Sequence, residues 1–273
     1  MPELLTLGQA FKWGQEKLKP SKTAALDARV ILANLLQCST ASLLNEPQKK
    51  MSGRINKMYK RAISQRKRSV PVAYITGEKE FYGITLKVNS HVLIPRPTSE
   101  AIVETTISLS KKLGIKNIYE IGTGSGAIAI ALAVSLPEVK IFASDISSKA
   151  LTVAKENIRK KRLSKQIKLV RANLGEHIKE PALVVANLPY LSEKLRNKKD
   201  LAFEPAMALF ADGDGLGLYK KMFSNLPFVA VVIELGERQY SQMAKWLKQK
   251  FPKAKISPVR DLDKTICGLV IIS

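Results

Sequence analysis

Asn187-Leu188-Pro189-Tyr190 is the run whose residue types, in this order, most narrowly define a chemistry. An amide or exocyclic amine nitrogen is a poor nucleophile because its lone pair is delocalised. Two acceptors aimed at its N–H bonds orient it and stabilise the positive charge that develops as it attacks. The Asn187 side-chain oxygen and the Leu188 backbone carbonyl can form that pair. Pro189 holds Leu188 out of helical geometry, which can turn the carbonyl into a site, and Tyr190 offers a flat face to a planar acceptor. Moving a methyl group to a planar nitrogen calls for this arrangement; moving a hydride does not. A plain turn after a buried strand would need none of it.

A second set of residues is suited to holding a nucleotide-like ligand. Asn117 to Ile121 carries β-branched and aromatic residues with an acid, Glu120, near its end; Gly122-Thr123-Gly124-Ser125-Gly126 follows, and Ala127 to Leu136 reads as a helix former. The glycines allow a tight turn and close approach of a ligand, and the N–H groups that open the helix at Gly126 present partial positive charge. Asp145, roughly 20 residues beyond the glycine turn, is placed to accept hydrogen bonds from both hydroxyls of a ribose. Ser147 or Ser148 can cap the next helix, which would leave that carboxylate free. The spacing Gly122-x-Gly124-x-x-Ala127 also meets the relaxed dinucleotide fingerprint, so the loop by itself leaves a nicotinamide or flavin ligand open.

These residues need a scaffold that brings strand ends together. After a helix from Ser99 to Leu113, the pattern predicts strands at Lys116–Ile121, Lys140–Asp145, Ile167–Arg171, Leu183–Asn187, Phe228–Glu234, Ala254–Ser257 and Thr265–Ile272. Helices are expected at Ala127–Leu136, Ser148–Lys161, Leu216–Asn225 and Gln239–Phe251. This alternation describes an α/β, Rossmann-like domain with seven strands, over residues 99–273, whose ligands bind beyond the carboxyl ends of the strands. Glu120, Asp145 and Asn187 stand at three of those ends.

Residues 1–70 read differently. Leu4, Leu7, Phe11 and Leu18 fall near helical spacing, Ala25 to Leu36 and Met51 to Arg68 make two more segments, and no strand signal interrupts them. A small N-terminal helical bundle without a catalytic set is expected, its role to present a surface to a partner. Residues 71–98 form a linker with a β-hairpin around Phe81 to Val88, followed by Leu93-Ile94-Pro95-Arg96-Pro97, a stiff extended segment that places the Arg96 cation.

The 273 residues carry 45 Lys+Arg against 23 Asp+Glu, a net charge of +22, which favours an acidic partner. The excess is local: nine basic residues and no acid lie from Lys49 to Arg68, and eight basic residues face only Glu156 from Lys149 to Lys168. Solvated faces can carry the same charge, so ribosome or nucleic-acid contact stays open. No run of about 18 apolar residues is present and Met1-Pro2-Glu3 does not begin a signal peptide, so a cytoplasmic protein with no membrane contact is expected. Cys38 and Cys267 read as buried thiols, and with only His91 and His177 besides them no metal site is expected. A monomer is expected.

Taken together, these segments resemble the protein-(glutamine-N5) methyltransferases that modify peptide-chain release factors, the PrmC/HemK family of class I S-adenosylmethionine-dependent methyltransferases. The likeness runs through Pro71-Val72-Ala73-Tyr74-Ile75-Thr76-Gly77-Glu78, Glu80-Phe81-Tyr82-Gly83, the Leu93–Pro97 segment with Glu100, the glycine loop, Asp145-Ile146-Ser147, Asn187–Tyr190, Glu204-Pro205 with Ala208-Leu209, Asp212 to Leu216, and Ile233-Glu234-Leu235-Gly236. It implies S-adenosyl-L-methionine held by Glu120, Gly122, Thr123, Gly124, Ser125, Gly126, Asp145, Asn173 and Asn187. It also implies that Asn187, Leu188, Pro189, Tyr190 and Arg96 meet the glutamine of a Gly-Gly-Gln loop. Leu188 stands where the family usually has proline, Glu120 and Asn173 where it usually has aspartate, and Asp261-Leu262-Asp263-Lys264 where a glycine turn is usual. With Leu188 the function is expected to survive on a less rigid loop, because the working group is a backbone carbonyl. The same replacement makes the motif similar to that of rRNA adenine-N6 dimethyltransferases, so an adenine-N6 methyltransferase acting on nucleic acid is the alternative. A non-catalytic binding protein on this scaffold is the third class, against which intact Gly122, Asp145 and Asn187 argue.

Overall fold

The computed structural model describes residues 5–196, 198 and 201–273. The chain divides into two compact units, Met1–Glu78 and Lys79–Ser273.

In the first unit, apolar residues three and four apart bury one face of each helix of α1 (Leu7–Lys17), α2 (Ala24–Leu36) and α4 (Gly53–Lys67), with the short α3 (Ser42–Asn45) and α5 (Val72–Thr76) completing it. Thr6 opens α1 with a capping box to Gln9, and Ser52 accepts from the Ile55 N–H to open α4. The core joins Leu7, Ala10, Ile31, Leu32, Tyr59 and Ile63, and Val72 and Ile75 of α5 pack against it although their segment reads as linker. Arg66 and Asp27 pair at 2.7 Å. Arg54, Lys57, Lys60 and Arg61 lie on the exposed side of α4. Leu4, part of the expected helical spacing, lies outside the described residues. Cys38 is exposed rather than buried, because Gln37 takes a left-handed conformation that ends α2 and turns the chain away from the core.

The second unit begins within the hairpin of β1 (Glu78–Phe81) and β2 (Ile84–Lys87), turned at Tyr82 and Gly83, both at positive φ. There follow α6 (Thr98–Leu113), β3 (Asn117–Ile121), α7 (Ala127–Ser135), β4 (Lys140–Asp145), α8 (Ser148–Lys160), β5 (Ile167–Arg171), β6 (Ala182–Ala186), β7 (Leu191–Ser192), α9 (Ala206–Leu209), β8 (Phe210–Ala211), α10 (Gly217–Asn225), β9 (Phe228–Glu234), α11 (Tyr240–Lys250), β10 (Lys255–Arg260) and β11 (Ile266–Ile272). Seven of these strands form one sheet in the order β10-β11-β9-β6-β3-β4-β5. The five from β9 to β5 are parallel, whereas β11 pairs antiparallel with both β9 and β10. Every residue of β6 is buried, as an apolar run covered on both faces should be. One face packs Ile102, Ile128, Ile130 and Ile158 of α6, α7 and α8, and the other packs Tyr219, Phe223, Met243 and Leu247 of α10 and α11.

β10 extends beyond its expected end, through Pro258, which an edge strand tolerates. The short parallel pair of β7 and β8, just past Tyr190, was not signalled by the sequence. At Gly268, where β11 lies beside β9, an added Cβ would stand 2.4 Å from the Ile233 carbonyl oxygen and 2.7 Å from Ile102 Cδ1, so only glycine lets the strands approach this closely. Among the described residues no helix is long and apolar enough to cross a membrane.

Candidate active site

The chain runs outward from β3 through β4 to β5, then returns to place β6 on the other side of β3. That reversal leaves a crevice at the carboxyl ends of β3 and β6, the usual ligand position in such sheets. A cavity of about 290 Å³ lies there, lined by Glu120, Gly122, Thr123, Gly124, Ser125, Asp145, Asn173, Asn187, Leu188, Pro189 and Arg96 among others. Of the residues expected to hold the cofactor, Gly126 alone does not line it. Its φ of +82° and its approach to Ala154 fit it to seating the start of α7 against α8.

The glycine loop is held by its own backbone. Gly122 and Thr123 N–H groups donate to the Ser144 carbonyl at 2.8 and 2.9 Å, and Gly124 N–H donates to Asp145 Oδ2 at 2.9 Å. Ser147 caps α8 as expected, but its own N–H donates to Asp145 Oδ1 at 2.8 Å. Asp145 is therefore not free: each oxygen already accepts one backbone N–H and keeps its remaining lone pair for a ligand. Burial pushes its carboxyl above the ordinary range, against those hydrogen bonds. Glu120 is 2% exposed and accepts from Thr123 Oγ1 at 2.5 Å. Burial, with the Asp145 charge adding to it, pushes the Glu120 carboxyl up to about 7. Asn173 is exposed at the cavity wall, and its backbone N–H donates to Glu176 at 2.8 Å.

A second cavity, of about 330 Å³, is lined by Tyr190, Glu204 and Glu234 and shares Leu93, Arg96, Asn187, Leu188 and Ala208 with the first. Between the two lies the Asn187–Tyr190 run. Asn187 Nδ2 donates to Glu234 Oε2 at 2.9 Å and to Ser99 Oγ at 3.2 Å. Ser99 in turn donates to Glu234, and Tyr190 donates to Glu234 Oε1 at 3.1 Å. Glu234 is 1% exposed, and burial raises its carboxyl against the opposing hydrogen bonds from Ser99, Tyr190 and Asn187 and the nearby Arg96 charge. Tyr190 is likewise raised, first by burial and then by the Glu234 charge, so it remains a donor.

Arg96 is committed to the scaffold as well as to the cavities it lines. Its guanidinium pairs with Glu204, whose side chain is 2% exposed, and Glu204 Oε2 also accepts from the Ile94 N–H at 3.0 Å. One carboxylate thus clamps the Leu93–Pro97 segment at two points.

Sequence reasoning assigned no role to Ser99, Asn157, Glu204, Tyr219 or Glu234. Asn157 of α8 bonds the Ser125 carbonyl at 2.9 Å and both backbone groups of Lys87, tying the glycine loop to β2. For Glu234 a signal was available, since it ends an expected strand as Glu120 and Asp145 do. The others act across long separations that no local pattern marks.

Residues 9–77 match the PrmC N-terminal domain and residues 99–212 the methyltransferase small domain. The chain is 32% identical to the release factor glutamine methyltransferase of Bacillus subtilis (strain 168), over 97% of this chain and 98% of that protein. It is 30% identical to the release factor glutamine methyltransferase of Streptococcus pneumoniae (strain ATCC BAA-255 / R6), over 94% and 95%. Among solved structures, the hMettl16 catalytic domain in complex with MAT2A 3'UTR hairpin 1 shares the fold, with a TM-score of 0.59 at 16% identity, covering 93% of this chain and 92% of that one. An end-to-end likeness at this identity, on a seven-stranded methyltransferase sheet, means that the chain belongs to the release factor glutamine methyltransferase family.

Proposed function

We propose that the protein transfers a methyl group from S-adenosyl-L-methionine to the side-chain amide N5 of the glutamine in the Gly-Gly-Gln loop of a peptide-chain release factor. The observation that carries this reading is the orientation of Asn187: its amide N–H₂ is spent on Glu234 and Ser99, so its oxygen is the atom left to meet an incoming N–H. Leu188, at the wall of both cavities, supplies the second acceptor through its backbone carbonyl.

The residues present fit the cofactor. A Cβ at Gly124 would meet nothing within 4 Å, so the loop backbone is open to a ligand, and the Glu120 and Asp145 carboxylates suit a cationic ligand with ribose hydroxyls. S-adenosyl-L-methionine, when bound, supplies an electrophilic methyl on a sulfonium. Asp145 would take the ribose, Glu120 and the Gly122–Ser125 loop the charged end, and Asn173 the base. Asn187 and Leu188 bind the two N–H bonds of the glutamine amide and Tyr190 packs its plane. With the cofactor bound, its methyl would pass to the amide nitrogen, the thioether product would remain in the Glu120–Asp145 crevice, and the surplus N–H proton would pass to solvent, while Asn187 and Leu188 hold the nitrogen in place. The two acceptors stabilise the positive charge on that nitrogen while it exists.

The helical unit Met1–Glu78 docks the release factor, with the basic face of α4 steering it, and the protein acts as a monomer in the cytoplasm, where its substrate is made. Incubation with labelled S-adenosyl-L-methionine and a purified release factor, followed by mass mapping, tests the reading. Label on the Gly-Gly-Gln glutamine supports it. Label on rRNA adenine and none on the factor would replace it with the adenine-N6 alternative.

A further inference from the structure

Tyr219 of α10 is fully buried, and its hydroxyl lies between the reacting loop and β9. It accepts from the Leu188 N–H at 3.0 Å and donates to the Glu234 backbone carbonyl at 2.6 Å. The Leu188 carbonyl is also near, at 3.4 Å. A phenol has one hydrogen to give, and the closer Glu234 carbonyl takes it, which leaves the Leu188 oxygen unspent. Burial raises the phenol far above its ordinary value, so the donor stays protonated. Without Tyr219 the buried Leu188 N–H would lose this partner. The side chain of Leu188 is packed too, its Cδ2 only 3.1 Å from where a Cβ on Gly122 would stand.

We propose that Tyr219 is a positioning residue for methyl transfer: by accepting from the Leu188 N–H and donating its own O–H to the Glu234 backbone carbonyl, it fixes the 187–188 peptide and keeps the Leu188 carbonyl available to the acceptor nitrogen. The inference rests on the reading of that carbonyl as an acceptor for the glutamine amide. It is particular to a residue with an N–H at position 188. A proline there has no N–H to grip and stiffens the loop through its ring instead.

A double-mutant cycle tests the pairing. Tyr219→Phe should lower kcat about tenfold, the worth of roughly one hydrogen bond, with the KM for the release factor and the Kd for S-adenosylhomocysteine nearly unchanged. In a Leu188→Pro background the same change should lower kcat less than about twofold, because the bond is already absent. Equal losses in the two backgrounds, or a loss confined to KM, overturns the proposal. A crystal structure of Tyr219→Phe supplies a readout independent of substrate and of whether the proline variant folds: a rotated 187–188 peptide supports the proposal, and an unmoved one overturns it. Failure of the wild-type protein to methylate any release factor would instead overturn the functional reading, and the crystal structure would still decide the role of Tyr219.

Discussion

Glu234 Oε2 lies 2.9 Å from Asn187 Nδ2, and that contact decides which way the Asn187 amide faces. An ionised carboxylate only accepts, so the amide must turn its N–H₂ toward Glu234 and its oxygen away. The same carboxylate accepts from Ser99 and Tyr190, so the orientations of Asn187 and Tyr190 hang on one side chain at the end of β9.

Replacing Glu234 should therefore cost turnover without costing cofactor. Glu234→Gln is expected to lower kcat by about tenfold to a hundredfold, somewhat less than losing an acceptor outright, while S-adenosylhomocysteine affinity by calorimetry stays within about twofold. Acid should act similarly: once protonated, Glu234 can donate to Asn187 and turn the amide over, so the wild-type kcat falls on the acid side and the Gln variant loses that limb of the profile.

Asn187→Ala removes the acceptor itself. Single-turnover methyl transfer should slow roughly 100-fold or more, with cofactor binding nearly intact. A matching loss of cofactor affinity would place Asn187 in the cofactor site alone.

Asp145→Ala should weaken cofactor binding by about 1–3 kcal/mol, read by calorimetry with S-adenosylhomocysteine. It also strips a partner from the Gly124 and Ser147 N–H groups, so the melting temperature should fall as well. An unchanged affinity would move the ribose contact elsewhere.

Glu120 sets a pH dependence. Its folded pKa of about 7 is above the ordinary 4.5, so the folded state binds the proton more tightly. The associated stability is present below the unfolded pKa and is lost as pH rises toward 7, on the order of 3 kcal/mol for a shift of this size. Glu120→Gln should raise the melting temperature of the unliganded protein near about pH 8. The wild-type protein should bind the cationic cofactor more tightly at about pH 8 than at about pH 6, and the variant should lose that gain.

Arg54→Glu, Lys57→Glu and Lys60→Glu together should slow methylation of the intact release factor far more than that of a short Gly-Gly-Gln peptide, most clearly at low salt. Equal slowing on both would remove α4 from docking.

The parallel strands and the residues that end them were legible because burial on both faces gives apolar runs, and each run stops where the chain leaves the sheet. Glu120, Asp145 and Asn187 were found by that rule. What holds them was not legible: Asn187 meets Ser99 across 88 residues, and Ile94 meets Glu204 across 110. The freedom assigned to Asp145 failed for a local reason, since the loop that curls around a ligand also curls its own N–H groups onto the nearest carboxylate. Burial of Cys38 was inferred from apolar neighbours in sequence, but the left-handed residue before it ends the helix that would have carried it inward.

Gly268 of β11 pairs with Glu234 of β9, and β10 reaches the sheet only through β11. β10 and β11 pair locally across the turn from Asp261 to Thr265, whereas the pairing of β11 with β9 is the longer-range closure, of the kind that forms slowly. Glu234 gains its neighbour on the β11 side only with that pairing. Refolding should therefore restore the helices and the glycine loop first and turnover last, and Gly268→Ala, which obstructs that pairing, should delay the return of activity more than the return of helical signal.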